Sequence, residues 1–504
     1  MKRGLVLAAV LAVAASTAYA VYAVERPDPA AQAVADGCPR DLNAVYRRVA
    51  PTWVYVNARD GGAPPPQWAK GVVDAGDQPY LGSHPSGTDD PLSHDAYDFL
   101  INVKPDPAYS FMVGGNEAEQ TGNFEGEDET AGRLHVERES NVTPVFSWPD
   151  PGDRVEILGS WVWDCGHWKP GGERTELHPF RALWVQRAVS ARSPWGEREG
   201  DLFVSTDSTP AGVIADCALK TKGGQDAFKA CLLTQPAWQD VSGDYRFVLP
   251  APPKPPGAGT LRVRVVDQGG VGGAAPTVAI RNGAAVVTMR LSAAPGTRLV
   301  VAKQVFLGWT KTPATALPQH LRVSFRSLLV RRAMDPGCLP GNQGCVSVES
   351  ILDGQITTAP GEWNLYWDAA GIWSAWAPSV LFTRDGQSYP GKQTVDVYLP
   401  RGKPWRLLAF ARECDFGSLS FGNQAKAVWP CPTSGEVGNA ASDDVPGIVV
   451  HRFASPVAAL GLHRDDPIRQ ATSCPKSNTR GCYELTYVVT RVNDAVQRAA
   501  TQPR

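Results

Sequence analysis

The sequence contains no block of five or more basic residues, and its formal net charge is only −2. Proteins that bind nucleic acids usually carry a concentrated positive patch that contacts the phosphates. After the N-terminal segment, no apolar stretch approaches the roughly 20 residues that a transmembrane helix needs. We therefore expect no nucleic-acid partner, and no transmembrane domain in the mature chain.

Several familiar motifs of enzymes and metal sites are also missing. The sequence has no C-x-x-C pair, so neither a zinc ribbon nor a thioredoxin-like redox site is predicted. The H-E-x-x-H motif of zinc proteases, the G-x-S-x-G elbow of serine hydrolases and the phosphate-binding G-x-x-x-x-G-K-[S/T] loop do not occur either. None of these established chemistries is therefore predicted.

The first 23 residues have the three parts of a secretory signal peptide. Lys2 and Arg3 precede an apolar run at residues 5–15, and small residues follow that run. We predict cleavage after Ala20 or Ala23 and a secreted or extracytoplasmic mature protein. An uncleaved N-terminal anchor is the minor alternative.

The ten cysteines of an exported chain indicate disulfide bonds. Eight of them fall into four pairs that are close in sequence, although sequence alone does not establish the connectivity. Local pairing joins Cys217 with Cys231, Cys338 with Cys345, Cys414 with Cys431 and Cys474 with Cys482, and leaves Cys38 for Cys165.

The backbone composition favours strands and turns over long helices. Glycine (49) and proline (43) together make up about 18% of the 504 residues, above the usual share of about 12%. Many segments alternate apolar and polar residues between turn signals. We predict a mainly β chain, with an N-terminal small β-barrel or bent-sheet module followed by two β-sandwich-like domains. The expected divisions are a signal peptide (1–23), the β module (38–190), a mixed segment with a short helical, disulfide-stapled part (191–249), a proline-rich linker (250–259), the first sandwich-like domain (260–335) and the second (340–495).

Residues 151–187 concentrate side chains that are able to carry out chemistry. Glu176 and His178 alternate along a predicted strand, so they share one face of it. Asp164 closes the preceding strand, and His167 lies in the connecting loop. If the two strands form a hairpin, all four groups converge near one end of it.

Three interpretations of this group are open. Two imidazoles and two carboxylates suit a divalent ion such as Zn²⁺, and an ion-bound water would give a metal-dependent hydrolase centred on Asp164, His167, Glu176 and His178. The same groups also suit metal-free acid–base catalysis. A hydrogen-bonded structural network is the third interpretation, and the lack of an established zinc motif favours it.

Part of this region resembles an element of uncharacterised exported bacterial proteins, in which D-C-G-H is followed by T-E-[I/L/F]-H-P. The similarity is clearest over residues 95–187 and includes the segments FLINVKPDPAY and RLHVERE. It brings no established activity, but it implies that this region is one module. The matching positions are Asp164, Cys165, Gly166, His167, Thr175, Glu176, Leu177, His178 and Pro179.

Two further sets of side chains are weaker candidates. Acidic residues around one cysteine pair are of the ligand type that Ca²⁺ prefers, although a solvated loop is the favoured interpretation. Four tryptophans suit an aromatic platform for carbohydrate, although core packing is favoured. The acidic set is Glu413, Asp415, Asp443 and Asp444, and the tryptophan set is Trp363, Trp367, Trp373 and Trp376.

These observations lead to two hypotheses about function. The first is an extracellular or surface-associated binding protein whose sandwiches contact a cell-surface, carbohydrate or protein ligand. The alternative is the metal-dependent hydrolase, with Zn²⁺ or Ca²⁺ as the possible cofactor.

Overall fold

The structure is a computed structural model, and it confirms the mainly β fold class: within the part of the chain that it describes, strands account for 62% and helices for 5%. It describes residues 53–56, 64–74, 83–85, 98–113, 132–139, 143–164, 174–206, 227, 230–231, 239–272, 275–293, 297–332, 361–376, 381–413, 420–421, 424–425, 444–466 and 482–493.

The strands within these residues are short in the N-terminal part and longer towards the centre. In chain order they are β1 (Trp53–Tyr55), β2 (Gln67–Val73), β3 (Ser83–Pro85), β4 (Asp98–Pro105), β5 (Leu134–Glu139), β6 (Arg154–Asp164), β7 (Arg174–Arg187), β8 (Arg198–Ser205), β9 (Gly243–Pro250), β10 (Leu261–Val271), β11 (Thr277–Arg281), β12 (Ala284–Leu291), β13 (Val300–Trp309), β14 (Gln319–Arg332), β15 (Gly361–Ala369), β16 (Ile372–Ala375), β17 (Leu381–Thr383), β18 (Ser388–Pro390), β19 (Thr394–Leu399), β20 (Trp405–Glu413), β21 (Ser420–Phe421), β22 (Gln424–Ala425), β23 (Asp444–Phe453), β24 (Gly461–Asp465) and β25 (Cys482–Arg491). Two 3-10 helices cover Pro107–Val113 and Val145–Ser147.

Five of the strands close into a small barrel, as the sequence predicts for the N-terminal module. The pairing runs from β6 to β2, β4, β5 and β7 and returns to β6. Neighbouring strands are antiparallel except β5 and β7, which are parallel. Apolar side chains from all five strands form one buried cluster, which explains why the sheet closes instead of leaving an apolar face exposed.

The strands at residues 260–335 do not form a separate sandwich, contrary to the prediction. Two of them, β10 and β13, extend the barrel sheet through β8, while β11 and β12 pair with β9. The last strand, β14, joins a C-terminal sheet. Alternation of apolar and polar residues identifies a strand and its buried face, but it carries no information about which strand lies next to it.

The proline-rich residues 250–259, predicted as a linker, lie against the end of β13. Trp309 Nε1 donates a hydrogen bond to the carbonyl of Pro252 at 2.9 Å. The ammonium of Lys254 lies 4.9 Å from the centre of the Trp309 ring, and Gly259 N–H donates to the carbonyl of Thr310 at 2.7 Å. These contacts make the segment an ordered edge packed against Trp309.

The C-terminal region contains two packed sheets. One has the order β18-β14-β25-β24 with β19 also on β14, and the other has the order β16-β15-β20-β23 with β17 also on β15. Leu365 and Trp367 face the sandwich core, whereas Tyr366 and Trp373 pack with the barrel core through Trp148. The second sheet is therefore a middle layer between the barrel and the other sheet of the sandwich.

The tryptophan set belongs to these cores. Each of its four side chains is less than 5% exposed, so none of them lies on a surface that a carbohydrate can stack against. Trp363, Trp367 and Trp376 pack in the sandwich core, and Trp373 packs with the barrel. The favoured interpretation, core packing, is the one that the structure supports.

Some of the sequence predictions lie outside the described residues. These include the signal peptide and eight of the ten cysteines, so cleavage and disulfide pairing stay predictions. Among the described residues, the structure contains no helix that is both long and apolar enough to cross a bilayer.

Candidate metal centre

Four buried polar side chains come together where β5 and β7 run parallel. His135 pairs with Glu176 across the two strands, and Val136 pairs with Leu177. The sequence H-V-E of β5 therefore lies beside E-L-H of β7, and alternation places both histidines and both glutamates on one face. Val136 and Leu177, on the opposite face, belong to the apolar core.

Three of these side chains converge closely enough to hold one ion. One nitrogen of His135 and one oxygen each of Glu137 and Glu176 lie within 4.8 Å of one another. His135 Nε2 and Oε1 of Glu137 are 2.5 Å apart. His135 and Glu137 are each 4% exposed, and Glu176 is fully buried.

Asn102 on β4 orients the imidazole of His135. The two residues are directly paired across β4 and β5, and Oδ1 of Asn102 lies 2.7 Å from Nδ1 of His135. A hydrogen bond from Nδ1–H to this oxygen leaves Nε2 directed towards Glu137. Histidine ligands in metal sites are commonly held by the same kind of contact, in which the second ring nitrogen donates to a carbonyl or carboxylate oxygen.

His178 contacts both carboxylates through one ring nitrogen. Its Nδ1 lies 3.0 Å from Oε2 of Glu137 and 3.2 Å from Oε1 of Glu176. Because an ionised carboxylate only accepts hydrogen bonds, the hydrogen in these contacts belongs to Nδ1. His178 is fully buried, so it joins the two glutamates away from bulk water.

The surroundings keep Glu137 ionised. Burial by itself raises the pKa of a carboxyl group, since it penalises the charged form. The charges and hydrogen bonds of His135 and His178 outweigh that effect and hold the pKa of Glu137 well below its usual range. Glu137 is therefore a carboxylate that is held by the charge of the imidazoles; since a histidine that binds metal is neutral, a bound ion would take over that role.

The donor set fits a divalent transition metal better than Ca²⁺. Imidazole nitrogen together with carboxylate oxygen suits Zn²⁺ and related ions. Calcium prefers six to eight oxygen ligands, and this centre offers a nitrogen and few oxygens. A bound cation also offsets the cost of burying two carboxylates side by side.

The structure brings together two of the four predicted site residues. Glu176 and His178 share a face, as predicted, but their described neighbours are His135 and Glu137. The backbone of Asp164 ends β6 opposite Arg174, while its side chain and the whole of His167 lie outside the described residues. Their membership of the site therefore stays a prediction.

Sequence reasoning missed His135 and Glu137 as site residues. The segment RLHVERE shows the alternation that places both on one face, and its H-x-E order mirrors the E-x-H order at residues 176–178. That mirrored pair of short motifs is the signal that points to the site.

The acidic set proposed for Ca²⁺ is described only in part. Glu413 on β20 pairs with Asp444 on β23 through the backbone. Asp415 and Asp443 lie outside the described residues, as do the side chains of Glu413 and Asp444. The calcium hypothesis for these loops therefore stays untested.

Comparisons with known proteins establish no family for this chain. No protein-family model matches the sequence, and no curated protein is significantly similar to it. Among solved structures, human GIVD cytosolic phospholipase A2 aligns with 85% of this chain and 33% of its own length, at 9% identity and a TM-score of 0.15. The alignment spans about a third of that protein, and a likeness this weak carries no argument about fold or activity.

Proposed function

We propose that this chain is an exported metal-binding protein whose centre lies between β5 and β7. The observation that carries the proposal is the approach of ligand atoms from His135, Glu137 and Glu176 to within 4.8 Å in a buried place. The donor set suits Zn²⁺ or a related divalent ion.

Hydrogen bonding alone is the competing explanation of the same contacts. The distances between the imidazoles and the carboxylates, 2.5 to 3.2 Å, are those of hydrogen bonds. Two features favour an ion. A bound ion compensates two buried carboxylates at any pH, whereas the imidazoles do so only while they are protonated, and Asn102 holds His135 in the orientation that metal-binding histidines commonly have.

Export and the binding of a partner are also part of this proposal. Export rests on the N-terminal signal sequence, and contacts with a cell-surface or protein ligand are proposed for the C-terminal sandwich alone. The burial of all four polar side chains favours a centre that holds an ion over one that processes a large substrate.

The test is metal analysis of the full-length secreted protein. After chelator treatment and dialysis, the protein is titrated with Zn²⁺ by calorimetry, and bound metal is measured by elemental analysis. We expect about one ion per chain, and at least a hundredfold loss of Zn²⁺ affinity in His135→Ala and in Glu137→Gln, because each variant lacks a ligand.

His463→Ala is the matched control. This imidazole lies on β24 of the sandwich, where its Nε2 contacts the carbonyl of Ala459 at 2.8 Å, and its loss should leave binding unchanged. Circular dichroism establishes that every variant is folded. Absence of metal from the wild-type protein, or undiminished binding by His135→Ala and Glu137→Gln, would refute the proposed centre.

A further inference from the structure

We infer that the proposed ion has three protein ligands and keeps room for water or a small anion, and that His178 is a positioning residue outside the ligand set. This inference rests on the proposed metal centre. It differs from a closed, four-ligand structural site, in which His178 would bind the ion directly.

The carboxylate of Glu137 divides its two oxygens between the two histidines. Oε1 faces Nε2 of His135, and Oε2 faces Nδ1 of His178. An ion held by His135 and Oε1 is therefore on the opposite side of this carboxylate from the contact with His178. One oxygen of the Glu137 carboxylate therefore faces the ion, and the other accepts the hydrogen bond from His178.

The two carboxylate oxygens of Glu176 are divided in the same way. Its Oε1 contacts Nδ1 of His178 at 3.2 Å, so Oε2 is the oxygen through which it binds an ion. One N–H of His178 thus holds both glutamates in place, in the manner of the outer hydrogen bonds that orient metal ligands. Its Nε2 points away from that contact, since the two nitrogens of an imidazole face different directions.

The distances agree with this assignment. His135, Glu137 and Glu176 are the residues whose ligand atoms all lie within 4.8 Å of one another in the described part of the chain, and His178 does not join that group. Asn102 holds His135 by a hydrogen bond, as His178 holds the two glutamates. Every ligand therefore has an outer hydrogen-bonding partner.

Three ligands leave coordination positions open. Structural zinc sites are usually closed by four protein ligands, whereas catalytic sites have three and bind water at the remaining position. A divalent ion and two carboxylates sum to zero charge, and the site is buried. The open position therefore suits water or a small singly charged anion better than a phosphate or a large substrate.

Cobalt substitution of the full-length protein tests this inference. Co²⁺ is bound at one equivalent, the visible ligand-field spectrum is recorded, and sodium azide is added as a small anion. We expect azide to change the spectrum along a saturable curve. We also expect His178→Gln, which keeps an N–H donor, to bind one Co²⁺ per chain with about 10- to 100-fold lower affinity.

The outcomes separate the two proposals. If the wild-type chain binds no Co²⁺, both the metal centre and this inference fail. If it binds Co²⁺ but azide leaves the spectrum unchanged, the metal centre stands and the open position is wrong. If His178→Gln is folded and binds no Co²⁺ while His463→Gln binds normally, His178 is a ligand and its positioning role is wrong. The azide experiment uses the wild-type protein, so it does not depend on the folding of any variant.

Discussion

Arg406 on β20 donates a hydrogen bond from Nη2 to Oδ1 of Asp150 at 2.9 Å, across the contact between the barrel and the sandwich. Both side chains are largely buried, and Nε of Arg406 also lies 3.5 Å from Oδ2 of Asp368. Two acidic side chains from different parts of the fold thus share one guanidinium. The contact between barrel and sandwich is therefore partly electrostatic as well as apolar.

We expect Asp150 and Arg406 to be energetically coupled by about 0.5–3 kcal/mol, the range found for residues in one hydrogen-bond or salt-bridge network. Asp150→Asn and Arg406→Met should each destabilise the protein, and the double variant should be less destabilised than the sum of the two. Urea unfolding of all four proteins gives the coupling energy. The exposed pair Arg322 and Asp396 is the control, for which about 0–1 kcal/mol is expected. Additive effects at the buried pair would contradict the prediction.

The stability of the protein should fall as the pH rises from about 4 to about 7. Burial, together with the nearby charge of Asp150, raises the pKa of Asp368 to about 7, and burial with the charge of Glu199 does the same for Asp201. Since the unfolded pKa is about 4, the folded state holds more protons in this window. Its advantage is complete below the unfolded pKa and is lost as the pH passes through the folded pKa.

Asp368→Asn tests this pH dependence. Asn cannot ionise, and its side-chain oxygen can still accept the hydrogen bond that Gly371 N–H donates to Asp368 Oδ1 at 2.7 Å. We expect the free energy of unfolding of the variant to decline less between pH 5 and pH 8, as measured by urea titration at several pH values. Asp244→Asn, at an exposed position, is the control. An unchanged slope in Asp368→Asn would show that this carboxyl group does not contribute.

Gly200 on β8 leaves the space that the ring of Trp184 occupies. A Cβ at position 200 would lie 2.2 Å from Cη2 of Trp184, and this ring is fully buried and stacked on Phe247. We expect Gly200→Ala to lower the free energy of unfolding by about 1–3 kcal/mol, because overpacking forces the ring or the backbone to shift. Urea unfolding measures the loss, and Thr288→Ala at an exposed position of β12 should stay within about 0.5 kcal/mol of wild type. Equal stability of the two variants would mean that Trp184 has room to move.

Local sequence patterns were sufficient to predict much of the fold. Glycine and proline content, together with alternation of apolar residues, indicated a mainly β chain with a small barrel near the N-terminus. The same alternation placed Glu176 and His178 on one face of a strand. These inferences succeed because the direction of a side chain on a strand depends on its immediate neighbours in sequence.

Local sequence patterns do not determine which strands pair with each other. The sequence suggested a sandwich at residues 260–335, yet β10 and β13 extend the barrel sheet and β14 joins the C-terminal one. Backbone hydrogen-bonding groups are the same in every strand, so pairing is decided by which apolar faces can be buried together. That depends on the whole chain.

The candidate metal centre shows the same division between what neighbouring residues determine and what the whole fold determines. The sequence by itself determined that H-V-E and E-L-H each present a histidine and a glutamate on one side of a strand. Only the tertiary structure decided that β5 and β7 are parallel neighbours, with His135 opposite Glu176. The physical reason is that closure of the barrel buries Val136 and Leu177 in a common core, and this places the polar residues on the other face side by side.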